Sequence, residues 1–261
     1  MKKYTLLPLL LFTIIACVNS GDRKVRVHPS KVDFILEHKI RVPKQIIQNP
    51  PMLILLHGLR SNEDDLIRMG TELDKRLLVI SARAPFADGN MRYKWYDYEN
   101  KGAAKPIVSA PQMESSRVKL LRFIDQLSFA YNVDTAQVFI GGFSQGAMMA
   151  YNVALSAPDK IKGVAAFSGN IPDQAKSKMA NKNSLSNLSA FISHGRRDPV
   201  LPFQQALNDK KFLESMGIRT TFREYDMMHT MNRSNIIDFT TWITSLIQDP
   251  PPPPKPEENT Q

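Results

Sequence analysis

One serine in this chain of 261 residues has the surroundings of a nucleophile. Ser144 is the centre of a G-F-S-Q-G pentapeptide at residues 142–146, between an apolar run at 137–140 and a helix-like stretch at 147–155. A strand that turns sharply into a helix needs glycine on both sides of the central residue, because a side chain there would collide with neighbouring backbone. The turn presents the serine hydroxyl at the N-terminus of a helix, where the helix dipole favours developing negative charge. The sequence therefore predicts that Ser144 attacks an electrophilic carbon.

The arrangement of strand, G-x-S-x-G and helix resembles the nucleophile elbow of the α/β-hydrolases, in which the acid and then the base follow the serine along the chain. Downstream of Ser144 the only histidines are His194 and His229. His229 follows an alternating stretch at 221–225 and precedes a predicted final helix, so we expect it to be the base. His194 lies four residues before the expected acid, and we expect it to brace that loop.

The expected acid is Asp198, in a loop bounded by glycine and proline after a short apolar strand. Acid and base then both leave the carboxyl ends of strands, where open α/β sheets place their sites. In this assignment His229 removes the Ser144 proton and later returns one to the leaving group, while Asp198 orients the imidazole and stabilises its charged form. The alternative acid is Asp226, which lies three residues before His229 and is poorly placed to bond its ring.

Two backbone amides are candidates for an oxyanion hole. A buried strand predicted at 51–56 ends in the H-G-L-R segment at 57–60. In this fold one donor is the N–H after the nucleophile, here that of Gln145, and the other comes from the loop after an early strand, here Leu59. Because backbone groups donate, we expect the side chains at these two positions to be weakly constrained. His57 is expected to brace its loop.

Four motifs in order resemble the phospholipase/carboxylesterase group of α/β-hydrolases, which includes the acyl-protein thioesterases. That group carries L-H-G-x-G, G-F-S-Q-G, H-G-x-x-D-P-V-x-P and an M-x-H-type segment, and this chain has similar segments at 56–60, 142–146, 194–202 and 227–229. The likeness runs from about residue 31 to 247. It implies the same triad and oxyanion pair, and substrates among short- to medium-chain carboxyl esters, lysophospholipids or acyl thioesters. Arg60 replaces the usual second glycine, so the resemblance leaves the conformation of that loop open.

Two sets of side chains are candidates to contact the substrate. Loops after strand ends often cover the site in this architecture, so we expect the aromatic segment 85–111 to lie on the leaving-group side, with Trp95 as a substrate-binding residue. Flexible methionines near the nucleophile and base are candidates for an acyl pocket, with Met228 chosen for the site and ordinary core positions as the alternative. The methionines are Met148, Met149, Met227, Met228 and Met231.

The rest of the chain indicates one α/β domain at residues 31–248, with a mostly parallel central sheet and helices on both faces. Strands are predicted near 32–42, 52–57, 76–82, 137–142, 161–167, 189–194 and 219–225. Helices are predicted at about 63–74, 112–131, 145–157, 203–216 and 234–247.

The two ends indicate where the protein works. Residues 1–16 have a basic start and a short apolar stretch, which is typical of a signal peptide, and they lead into Cys17, the only cysteine. This ending resembles the bacterial lipobox, so we expect Cys17 to be lipidated, residues 17–30 to be a polar tether, and the enzyme to be held on a membrane of the bacterial envelope, facing the periplasm or the surface. An ordinary cleaved secretory signal is the alternative. The proline-rich residues 249–261 are expected to be a disordered tail.

Charge and motif spacing exclude several other functions. The net charge is +9, of which Lys2 and Lys3 contribute +2, leaving +7 after signal removal. Basic residues form no stripe with interleaved aromatics, so we predict no nucleic-acid partner. The sequence has no metal-ligand spacing and no phosphate-binding glycine loop, so we predict no cofactor. Two alternatives to an esterase stay open: a non-catalytic, surface-anchored binding protein on a hydrolase fold, and a serine peptidase of the same fold.

Overall fold

A seven-stranded sheet forms the centre of the computed structural model, which describes residues 32–45, 47–99 and 107–248. The predicted signal peptide, tether, Cys17 and tail lie outside the described residues. The strands are β1 (His38–Arg41), β2 (Met52–Leu56), β3 (Leu78–Ala82), β4 (Phe86–Ala87), β5 (Tyr93–Lys94), β6 (Tyr98–Glu99), β7 (Ile107–Val108), β8 (Val138–Phe143), β9 (Gly163–Phe167), β10 (Ser189–Gly195) and β11 (Arg219–Tyr225).

The order of strands in the sheet is β1-β3-β2-β8-β9-β10-β11, with β1 antiparallel to β3 and every other neighbouring pair parallel. The helices are α1 (Ala110–Tyr131), α2 (Gln145–Ser156), α3 (Asp173–Ser177), α4 (Lys182–Leu185), α5 (Phe203–Ser215) and α6 (Arg233–Leu246), with 3-10 turns at Leu66–Thr71 and Thr135–Gln137. The α/β-hydrolase fold with a mostly parallel sheet is therefore confirmed.

Two apolar layers cover the two faces of the sheet. Alternate residues of β2 contribute to opposite layers, as the period of two in a strand requires. One layer packs α1, α2 and α5 against the sheet, with Phe123 and Tyr151 fully buried. The other packs α6, through an aromatic cluster that includes Phe239 and Trp242. Strands covered on both sides are largely apolar, which is why β2 and β9 have uninterrupted hydrophobic sequences and Ser81 is the one polar residue of β3.

The predicted elements differ from the observed ones mainly before β8. The predicted helix at 63–74 is a 3-10 segment, Leu66–Thr71, because Asp65 makes no side-chain cap and Gly70 interrupts the run. The predicted strand at 32–42 pairs only over His38–Arg41. Four two-residue strands, β4 to β7, form two small antiparallel pairs inside the aromatic segment, and their shortness leaves too little periodicity to predict them.

A buried carboxyl group holds the loop that follows β9. Asp209, on α5, accepts a hydrogen bond at 2.9 Å from the Ile171 backbone N–H. Burial raises the pKa of Asp209 to about 7, against a smaller opposing effect of that hydrogen bond. Below about pH 7 the protonated form of Asp209 is therefore favoured in the folded protein.

We expect Asp209→Asn to stabilise the fold increasingly as the pH rises. The folded state holds a proton on Asp209 between the ordinary carboxyl pKa of about 4 and the raised value, so the wild-type free energy of unfolding falls with rising pH across that interval. Asparagine keeps an oxygen for the Ile171 N–H and does not ionise. Thermal unfolding of both proteins at about pH 5 and about pH 8 should show the gain in Tm mainly at the higher pH. The same Tm difference between variant and wild type at both pH values would show that ionisation of Asp209 is not its cause.

Candidate active site

The turn between β8 and α2 holds Ser144 in a rare backbone conformation, with φ 53° and ψ −117°. A residue other than glycine at positive φ is strained and persists only where its surroundings enforce it. Both flanking residues must be glycine, because no side chain would fit at either position. A Cβ at Gly142 would lie 2.5 Å from the Gly146 backbone, and one at Gly146 would overlap the Leu56 carbonyl oxygen. The turn therefore has the form that the pentapeptide predicts.

Three of the predicted residues form one hydrogen-bonded chain. The Ser144 hydroxyl lies 2.9 Å from His229 Nε2, and His229 Nδ1 lies 2.7 Å from Asp198 Oδ2. Because the carboxylate can only accept from the ring, Nδ1 carries the proton and Nε2 is free to accept from serine. The second oxygen of Asp198 accepts the N–H groups of Val200 and Leu201 at 2.8 and 2.9 Å. The carboxylate is thus buried, oriented and fully bonded.

The alternative residues occupy other positions. Asp226 forms an exposed ion pair with Arg197 at 2.7 Å instead of meeting His229. His194 is fully buried, and its Nε2–H donates to the Leu201 carbonyl at 2.9 Å. It therefore braces the loop that carries Asp198.

The segments expected to form the oxyanion hole lie at the ends of neighbouring strands, since β2 pairs with β8 in parallel. In the part of the chain that the structure describes, neither the Leu59 nor the Gln145 backbone N–H makes a hydrogen bond with another backbone group. His57 braces this region: its Nδ1–H donates to the Gly58 carbonyl at 2.8 Å, and its Nε2 accepts the Ala84 N–H at 3.1 Å. Burial lowers the pKa of His57, so this neutral tautomer is favoured.

Arg60 takes the backbone conformation that a glycine would take. Its φ is 63°, its N–H donates to the Tyr93 carbonyl at 3.0 Å, and its guanidinium meets Asp88 at 2.7 Å. The left-handed conformation costs roughly 1–2 kcal/mol for a residue with a Cβ. The loop thus keeps a glycine-like path although the glycine is replaced.

Two expectations about side chains are wrong. Trp95 has 0% of its surface exposed and donates its indole N–H to the His57 carbonyl at 2.9 Å, so it belongs to the core and no part of it is open to a substrate. The Gln145 side chain is strongly constrained, because it is buried and bonds the backbone of Trp95 and Tyr96. The sequence carried one signal for this, a polar residue at the start of a mostly apolar helix.

The candidate methionines separate into exposed and packed positions. Met228, the residue before His229 in the chain, is 58% exposed. Met149 and Met227 are buried, and Met148 and Met231 pack partly buried against the two apolar layers. Met228 is therefore the methionine of this set that solvent reaches most freely.

Two other kinds of site are absent from the described ranges. Within residues 32–45, 47–99 and 107–248, no group of three or more His, Cys, Asp or Glu side chains is arranged to hold a metal ion. In the same ranges, no helix combines the length and apolar character needed to cross a membrane.

Comparison with known proteins places this chain in a family. The model of the family described as Phospholipase/Carboxylesterase matches residues 38–247. The chain belongs to the phospholipase/carboxylesterase family. Acyl-protein thioesterase 1 of Kluyveromyces lactis is 30% identical over 228 residues, which cover 80% of this chain and 97% of that relative. Acyl-protein thioesterase 1 of Candida albicans is 23% identical over 225 residues, with the same two coverages.

A solved structure agrees with this assignment at the level of the fold. The Bacillus cereus carboxylesterase superposes with a TM-score of 0.71 and 21% identity, over 82% of this chain and 96% of that one. Family membership makes the chain a hydrolase enzyme with esterase or thioesterase activity.

We expect Arg60→Gly to keep kcat/KM within about twofold of wild type, because glycine adopts φ 63° without strain. The relief of strain is offset by a more flexible unfolded chain and by loss of an exposed ion pair, so stability should change by no more than about 1 kcal/mol. Arg60→Val is the matched control, since a β-branched residue resists positive φ. It should lower both Tm and kcat/KM. Equal effects of the two substitutions would show that the guanidinium, not the backbone, matters.

Proposed function

We propose that this family member hydrolyses carboxylic esters of short- to medium-chain acyl groups through an acyl-enzyme on Ser144. The observation that carries the proposal is the unbroken chain from the Ser144 hydroxyl through His229 to Asp198, at 2.9 and 2.7 Å. A nucleophile, a base and an orienting acid in contact in that order are the constellation required for acyl transfer.

The acylation step follows from these contacts. The Ser144 oxygen attacks the ester carbonyl carbon while His229 Nε2 accepts the hydroxyl proton, and Asp198 stabilises the imidazolium that forms. The negative charge that develops on the carbonyl oxygen is stabilised by the backbone N–H groups of Leu59 and Gln145. The tetrahedral intermediate then collapses, the bond to the alcohol oxygen breaks, and Nε2 gives its proton to the departing alcohol.

Deacylation repeats the chemistry with water. His229 removes a proton from a water molecule as its oxygen attacks the acyl carbon of the Ser144 ester. Collapse of the second intermediate breaks the bond to Ser144, which regains a proton from Nε2, and the carboxylic acid leaves. A thioester follows the same path with a thiol as the leaving group.

Exposed apolar side chains beside the proposed triad support an apolar acyl substrate, such as a simple ester or a lysophospholipid. Met228 adjoins His229, Val200 lies two residues after Asp198, and Leu59 is one of the proposed oxyanion donors. Their exposed fractions are 58%, 58% and 39%. Acyl chains bind by burying apolar surface, and these exposed side chains offer such surface. The name of the thioesterase relatives supports acyl thioesters as the second candidate class.

We expect Ser144→Ala to lower the hydrolysis of chromogenic acyl esters by about 10⁴-fold or more, because no nucleophile remains. Asp198→Asn should lower kcat by a similar order, since the amide favours the wrong ring tautomer. Rates for esters of increasing acyl length would also give the chain length that the acyl pocket accepts. Rates for the matching thioesters would show which of the two substrate classes is preferred. Activity confined to peptide substrates would favour the peptidase, and equal rates for wild type and Ser144→Ala on all substrates would favour the binding protein.

We also propose that the enzyme is anchored to a membrane of the bacterial envelope through lipid on Cys17. The support is the sequence alone, a basic and apolar leader that ends at the single cysteine. Cells fed labelled palmitate should incorporate label into the wild-type protein and not into Cys17→Ser. Label in the Cys17→Ser variant would contradict a lipid anchor on Cys17. A wild-type protein of mature length that carries no label would favour an ordinary secretory signal.

A further inference from the structure

One buried side-chain amide, that of Gln145, joins the nucleophile turn to the backbone of Trp95 and Tyr96. The Gln145 Oε1 accepts the Trp95 backbone N–H at 2.9 Å, and Nε2 donates to the Tyr96 carbonyl at 2.9 Å. The partners lie 50 and 49 residues away in the chain, and all three side chains are buried. Gln145 thus uses its amide as donor and acceptor at once.

Trp95 continues this connection to the other proposed oxyanion loop. Its indole N–H donates to the His57 carbonyl at 2.9 Å, two residues before Leu59. Its own carbonyl accepts the Ser116 hydroxyl at 2.5 Å, which joins the segment to α1. The indole also lies against the His57 ring, with centroids 5.6 Å apart. Trp95 is therefore bonded through its N–H, its carbonyl and its indole.

We propose that Gln145 and Trp95 form a brace that sets the separation of the two oxyanion donors, the N–H groups of Leu59 and Gln145. This inference rests on the proposed function, because it assigns a role within the same acyl-transfer site. Gln145 then acts twice, through its backbone N–H on the oxyanion and through its side chain on the brace. Trp95 is a positioning residue that never contacts the substrate.

The chemistry of the brace requires a neutral amide at position 145. The facing groups are one N–H and one carbonyl, and an amide of this length satisfies both. A hydrocarbon side chain would leave the Trp95 N–H and the Tyr96 carbonyl buried and unpaired. An ionised carboxylate would place one acceptor oxygen against another, the Tyr96 carbonyl, with no proton between them. Oxyanion donors act through accurate placement relative to the transition state, so a small displacement lowers kcat more than it weakens substrate binding.

The titratable neighbours of the brace stay neutral around pH 7. Burial raises the pKa of the Tyr96 hydroxyl and lowers that of the His57 ring. The Tyr96 hydroxyl donates to the Met148 sulfur at 3.0 Å. Position 145 is buried, and burial raises the pKa of a carboxyl introduced there towards neutrality. That carboxyl would then be the one group of the brace that changes charge as the pH is varied near neutrality.

The test is Gln145→Glu, with esterase rates compared with wild type between about pH 8 and about pH 5.5. At the upper pH the ionised side chain repels the Tyr96 carbonyl, and kcat should fall by about 10- to 100-fold with KM within about twofold. On acidification the carboxyl gains a proton, becomes a donor to Tyr96, and restores the brace. The ratio of mutant to wild-type kcat should therefore rise as the pH falls.

Gln137→Glu is the matched control, at the opposite end of β8. Gln137 is also buried and also uses its amide in both directions. Its Oε1 accepts the Gln248 N–H at 2.7 Å, and its Nε2 donates to Asp134 Oδ2 at 2.7 Å and to the Gln248 carbonyl at 3.4 Å. This variant should lose stability without a change in kcat below its Tm. Trp95→Phe is the second variant, which removes the bond to the His57 carbonyl. It should lower kcat at constant KM and show no recovery at low pH.

The outcomes separate the brace from the proposed function. Wild type and Ser144→Ala with equal ester hydrolysis would overturn both. If Ser144→Ala is inactive but Gln145→Glu and Gln137→Glu have the same kcat, the esterase stands and the brace is wrong. A rise in KM alone, or a rate ratio that is flat with pH, would also overturn the brace. If Gln145→Glu does not fold, an unchanged kcat for Trp95→Phe would overturn the proposed brace.

Discussion

The close approach of two backbone segments at the carboxyl edge of the sheet is the constraint on which the site depends. Gly146 packs against the carbonyl at the end of β2 so tightly that any Cβ would overlap it. That contact forces the chain to leave β8 through the strained conformation of Ser144, whose N–H is held by the Phe167 carbonyl of β9 at 2.9 Å. Strain of this kind persists only because strands on both sides enforce it. The position of the Ser144 hydroxyl is a consequence of the packing.

The parallel sheet brings the other groups to the same edge. Strands β8, β9, β10 and β11 run in one direction, so their following loops all emerge beside the nucleophile turn. The Asp198 and His229 loops are joined to each other by backbone bonds, from Arg197 to Met227 at 3.1 Å and from Arg196 to Tyr225 at 2.8 Å. Gly195 permits this approach, because a Cβ there would overlap the Met227 carbonyl. The distance between acid and base is thus set by main-chain contacts.

Rigidity on the β2 side has a different origin. The loop that holds Leu59 is bonded to the small β4–β5 hairpin through Arg60 and Ser61, both of which contact Tyr93. Beneath it, buried polar groups of His57, Trp95 and Gln145 satisfy one another. Buried polar networks whose members are all bonded specify one geometry, since each broken bond would leave a costly unpaired group. The oxyanion side of the site is therefore held by side-chain hydrogen bonds, whereas the Asp198 and His229 loops are held by backbone contacts.

The sequence by itself determined the α/β fold, the nucleophile turn and the choice of Ser144, Asp198 and His229 as candidates. Each of these depends on short motifs, on chain order or on strand periodicity, which are local properties. Only the tertiary structure decided that Asp198 and not Asp226 faces His229, that Trp95 is buried, and that the Gln145 side chain is bonded. Those contacts join residues 31 to 50 positions apart, and pairings over such distances leave no periodic signal in one sequence. The conformation of Arg60 belongs with them, because a hydrogen bond to Tyr93, and not its residue type, holds it at positive φ.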